Sequence, residues 1–174
     1  MLKNTDTKKI TTSALFCAVI CVISPFVIQI GVIPLSFSNF AVMLCAFVLP
    51  FSNSLLAVIG YLLLGLCSLP VFASFQGGAQ VLFGVTGGFL WGYVILCVCC
   101  SLARNKKTLI QKTVLCLCGL FGCYAIGILQ YCIVLKASFL SGLLVCVVPF
   151  IVFDIIKCIL AFLLGQKIKM ALKL

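Results

Sequence analysis

Pro149-Phe-Ile-Val-Phe-Asp154-Ile-Ile-Lys157-Cys-Ile-Leu-Ala-Phe-Leu-Leu164 is an apolar run with two charges inside it. As a helix it places Asp154 and Lys157, three residues apart, on one face. Asp154 is one of only two acids in the chain. An ionisable group inside an apolar span is costly to bury and marks a ligand site or an ion path by default. The plainer alternative is an ion pair that only holds two helices together. The functional reading is preferred, because charges within membrane spans so often serve a pathway or a ligand.

The surroundings of that run are equally apolar. The chain has 174 residues, of which 65% are hydrophobic and 8% charged. Its mean hydropathy is +1.41. A soluble domain carries about 25% charged residues, so this is read as an integral membrane protein. One bundle over 1–174 accounts for the whole sequence. The first apolar run, Thr12 to Ile30, is about long enough to span. No small-residue cleavage site follows it, so no cleavable signal peptide is expected.

The formal net charge of +10 raises nucleic acid as a partner. Its placement argues against that. The cations gather at the amino terminus (Lys3, Lys8, Lys9), in one loop (Arg104, Lys106, Lys107, Lys112) and at the carboxyl terminus (Lys167, Lys169, Lys173). These are flanks of apolar runs, as the positive-inside rule expects. The aromatic-basic interleaving used to bind single strands is missing. The thirteen cysteines lie mostly within apolar runs. Cys97 and Cys100 form a C-x-x-C, but with no second pair and no His a zinc site is not expected. The cysteines are read as small packing residues.

Six transmembrane spans are predicted, at about 12–30, 35–49, 51–69, 81–103, 113–135 and 149–170, in an all-α fold. Thr11, Thr12 and Ser13 are candidates to cap the first helix. Gly31 to Pro34 breaks the chain, and Pro50 and Pro70 close the second and third runs. The second run is short for a span, which needs about 20 residues. It is expected to borrow length or to cross beside a protein-lined region. The stretch Val71 to Gly88, between the third and fourth spans, differs from everything before it. It holds Gly77, Gly78, Gly84, Gly87 and Gly88, with Ser74, Gln76, Gln80 and Thr86 among them. Such a loop folds back into a bundle mouth and offers backbone N–H groups. It lacks the G-x-x-x-x-G-K-[ST] pattern of a nucleotide loop. A plain connector would not be expected to carry Phe72, Phe75 and Phe83. The fifth run carries Tyr124, Gln130 and Tyr131, and a mostly apolar connector, a candidate short helix, fills 136–148.

With the amino terminus inside, all three basic clusters fall inside and only Lys136 falls outside. Both termini are then cytoplasmic. The 31–35 turn, the Gly-rich loop and the 136–148 connector share the outer face. Asp154 and Lys157 lie one to two turns below it. On the first helix Ala14 and Ala18 form a small-xxx-small pair, extended by Cys17 and Cys21. Such a face admits another helix closely, and spacing alone leaves internal packing and a partner equally open.

The chain has no His and no Glu, and its acids are Asp6 and Asp154. Metal-assisted hydrolysis, a nucleophile with its base, and paired carboxylates all lack their residues. No enzyme activity, ATP hydrolysis in this chain, or cofactor is expected. Binding remains, through an anion–cation pair, several amides and many aromatics.

At this point four motifs stand in order: Ile33-Pro34-Leu35 with Phe40-Ala41-Val42, then Leu69-Pro70-Val71-Phe72-Ala73, then Gly84-x-Thr86-Gly87-Gly88-Phe89-Leu90-x-Gly92-Tyr93, then Pro149-Phe150-x-x-x-Asp154-x-x-Lys157. With these at the family's spacing, most of the chain resembles the BioY family, the biotin-binding S components of energy-coupling-factor (ECF) transporters. The resemblance implies six helices in a bacterial plasma membrane and an outward pocket for biotin. It also implies a transmembrane T component and two cytoplasmic ATPases as partners. In S components an A-x-x-x-A pattern on the first helix meets the T component, and Ala14 and Ala18 stand there. The sequence departs from the family at Val85, where a proline is usual, at Val152 and Phe153, where Pro-Gly is usual, and at Ser68, where a glycine is usual.

For biotin, an ionised Asp154 supplies acceptors and Lys157 donors to one edge of the ureido ring. Phe72, Phe75 and Tyr131 are candidates to pack on the ring system. Asn39, Gln76, Gln80 and the backbone at Thr86, Gly87 and Gly88 are candidates for the remaining polar contacts. The valerate carboxylate falls either to Lys157 or to loop N–H groups near Thr86. The alternatives are an S component for another vitamin and a ligand-free membrane scaffold.

Overall fold

The computed structural model describes residues 2–30 and 33–172. Met1 of the predicted tail, Gly31 and Val32 of the predicted break, and Lys173 of the carboxyl-terminal cluster lie outside the described residues. The first helix, α1 (Leu2–Ile23), starts well before the predicted cap. The hydroxyls of Thr11, Thr12 and Ser13 donate to the carbonyls of Thr7, Lys8 and Lys9, at 2.9, 2.6 and 3.0 Å. Bonds to the i−4 carbonyl are what such side chains make inside a helix rather than at its start.

The same helix ends before the predicted Ile30. Pro25 disfavours helical backbone at Ser24. The β-branched residues beyond it form β1 (Val27–Ile30), which pairs antiparallel with β2 (Ile33–Ser36). The register sets Val27 against Ser36 and Gln29 against Pro34. The all-α expectation is therefore corrected by one hairpin, because branched side chains fit a pleated ribbon better than a helix end.

α2 (Ser38–Val48) is buried at every position but Phe40. A helix apolar all round belongs inside protein, which accounts for a run too short to cross lipid alone. α3 (Phe51–Leu66) follows directly on Pro50. It ends before Ser68, whose φ of 67° lies in the left-handed region. That conformation is the physical reason a glycine suits this position better than serine. The segment to the next long helix holds a 3-10 turn, Ala73–Phe75, and a short helix, α4 (Ala79–Leu82). The predicted fourth run is thus interrupted before α5 (Gly87–Arg104).

α5 packs closely against α6 (Leu109–Leu135). A Cβ at Gly92 would stand 2.8 Å from Cys123 Cα, and one at Gly88 would stand 2.9 Å from Gly127 Cα. Neither distance is tolerable, so glycine at both positions permits the helix approach. A buried Ser54–Ser101 hydroxyl pair at 2.8 Å ties α3 to α5. The connector expected after Lys136 contains α7 (Phe139–Cys146), and α8 (Ile151–Leu172) follows it at a bend of 50°.

Among the described residues, Gly87–Arg104 and Ile110–Leu135 are each long and apolar enough to cross a membrane. The bent α7–α8 pair qualifies as a third if it is one span. The main core gathers residues of α1, α2, α3, α5, α6 and α8. A second cluster joins Leu35, Ile128, Tyr131, Cys146 and Phe150.

Candidate functional site

Asp154 sits in the first turn of α8 and is 4% exposed; Lys157, one turn on, is 6% exposed. Their Oδ1–Nζ separation is 3.1 Å. Two charges taken from water need further partners, and the fold supplies them from three other elements. Asn39, near the start of α2, donates from Nδ2 to Asp154 Oδ1 at 2.6 Å. Tyr124 of α6 donates its hydroxyl to Asp154 Oδ2 at 2.6 Å. Lys157 Nζ donates to the Ser36 carbonyl of β2 at 2.7 Å and to Asn39 Oδ1 at 3.2 Å. Asn39 Oδ1 also accepts from the Phe40 N–H at 2.9 Å, which orients the amide so that its two ends face opposite charges. The Phe37 ring lies under the ammonium, 5.5 Å from centroid to Nζ.

The constellation has a directional consequence. An ammonium has three donors, and Lys157 has three acceptors around it. Among the described residues, Asp154 Oδ1 receives two donors, while Oδ2 receives only Tyr124. Unused acceptor capacity on this network therefore lies at Asp154 Oδ2.

Beside the pair lies a cavity of about 730 Å³, walled by members of both apolar clusters. Its lining includes Asn39, Phe72, Phe75, Gln76, Gln80, Thr86, Asp154 and Lys157. Eight of the eleven residues predicted to bind ligand are thus brought together. Gly87 and Gly88 are buried instead in helix packing, Gly88 against α6 and Gly87 against the Leu82 carbonyl. Tyr131 stands in the second cluster, beside the cavity wall formed by Leu35, Cys146 and Phe150.

The sequence reading left out Ser36, Gln29, Tyr93 and Tyr124, which also line the cavity. Tyr124 had a usable signal: a buried tyrosine hydroxyl needs a partner, and the chain offers one acid in an apolar run. Nothing in the sequence links the hairpin carbonyl of Ser36 to Lys157.

The Gly-rich segment is fastened over the cavity by its own backbone and by neighbours. Ser74 N–H donates to the Pro25 carbonyl at 3.0 Å, and Phe72 N–H to the Gln76 carbonyl at 2.9 Å. Phe75 meets Phe26 edge-to-face, with centroids 5.8 Å apart. Gln130 Nε2 donates to the carbonyls of Leu82 and Gly84, at 2.9 and 2.7 Å. An amide reaching out of α6 thereby holds the segment against the bundle.

On the α1 surface, Ala14 and Ala18 are exposed, whereas Cys17 turns inward. Its Sγ would lie 3.2 Å from a Cβ placed on Gly60 of α3. The small-residue face expected from spacing is therefore divided: Cys17 packs inside and the alanines face out.

A family model described as the BioY family matches residues 1–174. The biotin transporter BioY of Thermotoga maritima is 36% identical over 166 residues, covering 93% of this chain and 96% of that protein. The biotin transporter BioY2 of Lactococcus lactis subsp. cremoris is 34% identical over 173 residues, with 98% and 95% covered. Among solved structures, the S-component for biotin from an ECF-type ABC transporter aligns with a TM-score of 0.85 at 23% identity. That alignment covers 97% of this chain and 94% of the other, and establishes a shared fold.

Proposed function

This chain belongs to the BioY family, and on that footing we propose that it is the biotin-binding S component of an ECF-type uptake transporter. It captures biotin at the outer face of a bacterial plasma membrane. A T component and two ATPase subunits supply the energy for import. The observation that carries this reading is a buried carboxylate, held by three donors, on the wall of a cavity of about 730 Å³. That volume lies in the ordinary range for small-molecule sites, roughly 300–1,000 Å³.

One of biotin's ureido N–H groups finds its acceptor at Asp154 Oδ2, where capacity remains. The three acceptors already around Lys157 leave the valerate carboxylate to loop N–H groups near Thr86, which also lines the cavity. Phe72 and Phe75 supply apolar surface for the ring system, and Asn39, Gln76 and Gln80 supply polar contacts. Tyr131, Gly87 and Gly88 support the site from behind: Tyr131 shapes its apolar wall, and the glycines set the position of α5. Mass spectrometry of the purified, denatured protein tests the assignment. Biotin should be released from protein made in biotin-containing medium. The mass of another vitamin would redirect the substrate, and no ligand together with no calorimetric heat on adding biotin would overturn the reading.

The proposed topology has six membrane passages with both termini cytoplasmic, the Gly-rich loop lying outside between the third and fourth passages. It is supported by the distribution of basic residues. Accessibility reporters at Asn105 and Lys136 should label from opposite sides of the membrane. Labelling from one side at both positions would end this topology.

A further inference from the structure

At the far end of α8 a second cavity, about 410 Å³ in volume, collects Arg104, Lys112 and Lys169 beside Phe47, Phe162 and Met170. Lys169 lies fifteen positions after Asp154, roughly 22 Å along the helix, so this cavity is distinct from the ligand site. None of its lining residues among those described is acidic. Three cations facing one space repel one another unless an anion joins them. Arg104 Nε is buried and has no hydrogen-bond partner among the described residues, and such a group favours a ligand acceptor. The cavity is also preformed. A Cβ on Gly165 would stand 2.8 Å from Phe47 Cβ, so glycine there brings α8 onto α2. Phe47 then packs edge-to-face on Phe162 at 5.5 Å, and Lys112 is held 5.2 Å above the Phe162 ring.

We propose that this cavity binds the phosphate headgroup of an anionic phospholipid from the cytoplasmic leaflet. Guanidinium and ammonium groups are suited to phosphate oxygens, and basic pockets at the cytoplasmic ends of membrane helices are where such headgroups bind. Ile155, Ile159 and Leu163 of the same helix share the face of Gln166 and Met170 by their spacing and are exposed, at 41%, 55% and 51%. They give acyl chains an apolar track leading away from the cations, which a soluble phosphate would not use. The site goes beyond biotin capture and rests on the proposed topology, which sets this end of α8 at the cytoplasmic face.

Native mass spectrometry of the whole chain in neutral detergent, titrated with dioleoyl phosphatidylglycerol, tests this. Phosphatidylglycerol should be retained in preference to phosphatidylcholine. Arg104→Gln with Lys169→Gln should weaken its binding roughly thirtyfold, about fivefold for each membrane-facing cation. Lys106→Gln with Lys107→Gln removes as many charges from the exposed loop outside the cavity and should change binding less than about twofold. Equal losses in both double variants would reduce the effect to general surface charge and overturn the site. Displacement of the lipid by inorganic phosphate at the same concentration would overturn the lipid as source. If the first double variant does not yield monodisperse protein, Lys112→Gln alone is read by the same criteria. Calorimetry with biotin on each variant reports on the other end of the bundle, so failure of the biotin reading is seen separately.

Discussion

Replacing Asp154 with alanine should weaken biotin binding by about 2–5 kcal/mol, the usual scale for truncating a buried charged partner. The geometry explains why the effect is large. Without the carboxylate, Asn39 Nδ2 and the Tyr124 hydroxyl lose their acceptor, and Lys157 keeps only neutral oxygens, from Ser36 and Asn39. The ligand's own donors would meet an uncompensated ammonium. Lys157→Ala should fall in the same range but toward its lower end, because Asp154 then still accepts from Asn39 and Tyr124. The same losses lower stability, since breaking a buried pair costs about 3–5 kcal/mol. Titration calorimetry is therefore made on the monodisperse fraction, with Asp154→Asn as the shape-preserving companion. Near-wild-type affinity in both alanine variants would make the pair structural and move the ligand elsewhere.

Combining Ala14→Trp with Ala18→Trp should abolish copurification with a T component while biotin affinity stays within about twofold. Both alanines are exposed on α1, on the flank beside the inward-facing Cys17. Indole rings there project outward and leave the packing of α1 on α3 intact. They hold a partner helix several ångströms off, beyond the close approach that small residues permit. Pull-down from cells expressing the T component and both ATPases reads the result. An intact complex would mean that Ala14 and Ala18 are merely small surface residues. Loss of biotin binding as well would trace the defect to folding of the chain rather than to the interface.

The Gly-rich segment shows how far local reading reaches. Its composition marks it as something other than a connector, and Phe72, Phe75, Gln76, Gln80 and Thr86 do line the cavity. The division of labour among its glycines is invisible at that level. Gly77 and Gly84 line the cavity, whereas Gly87 and Gly88 are consumed by helix packing. A glycine is chosen for the space it leaves, and the sequence does not say which neighbour fills that space. Tyr124 and Tyr131 show the same limit. They lie seven positions apart on α6, nearly two full turns, so they share a face; yet one bonds Asp154 and the other packs in the second cluster. What separates them is their neighbours: Asp154 of α8 for Tyr124, and Leu35, Cys146 and Phe150 for Tyr131.

By itself the sequence determined the membrane class, the lack of His and Glu, the Asp154–Lys157 pair and the family pattern. Each follows from residue identity and short spacing, where composition and helical period act directly. The tertiary structure alone decided that β1 and β2 replace the end of the first predicted span, and that Ser36, Asn39 and Tyr124 complete the ion pair. It alone also gathered Arg104, Lys112 and Lys169 around one cavity. Those partners are separated by 30 or more positions from Asp154, or lie on three different helices. Their meeting depends on close approaches at Gly92 and Gly165, where the missing side chain lets helices touch. Hydrogen bonds between distant residues are decided by backbone placement to within about an ångström, and no local pattern carries that information.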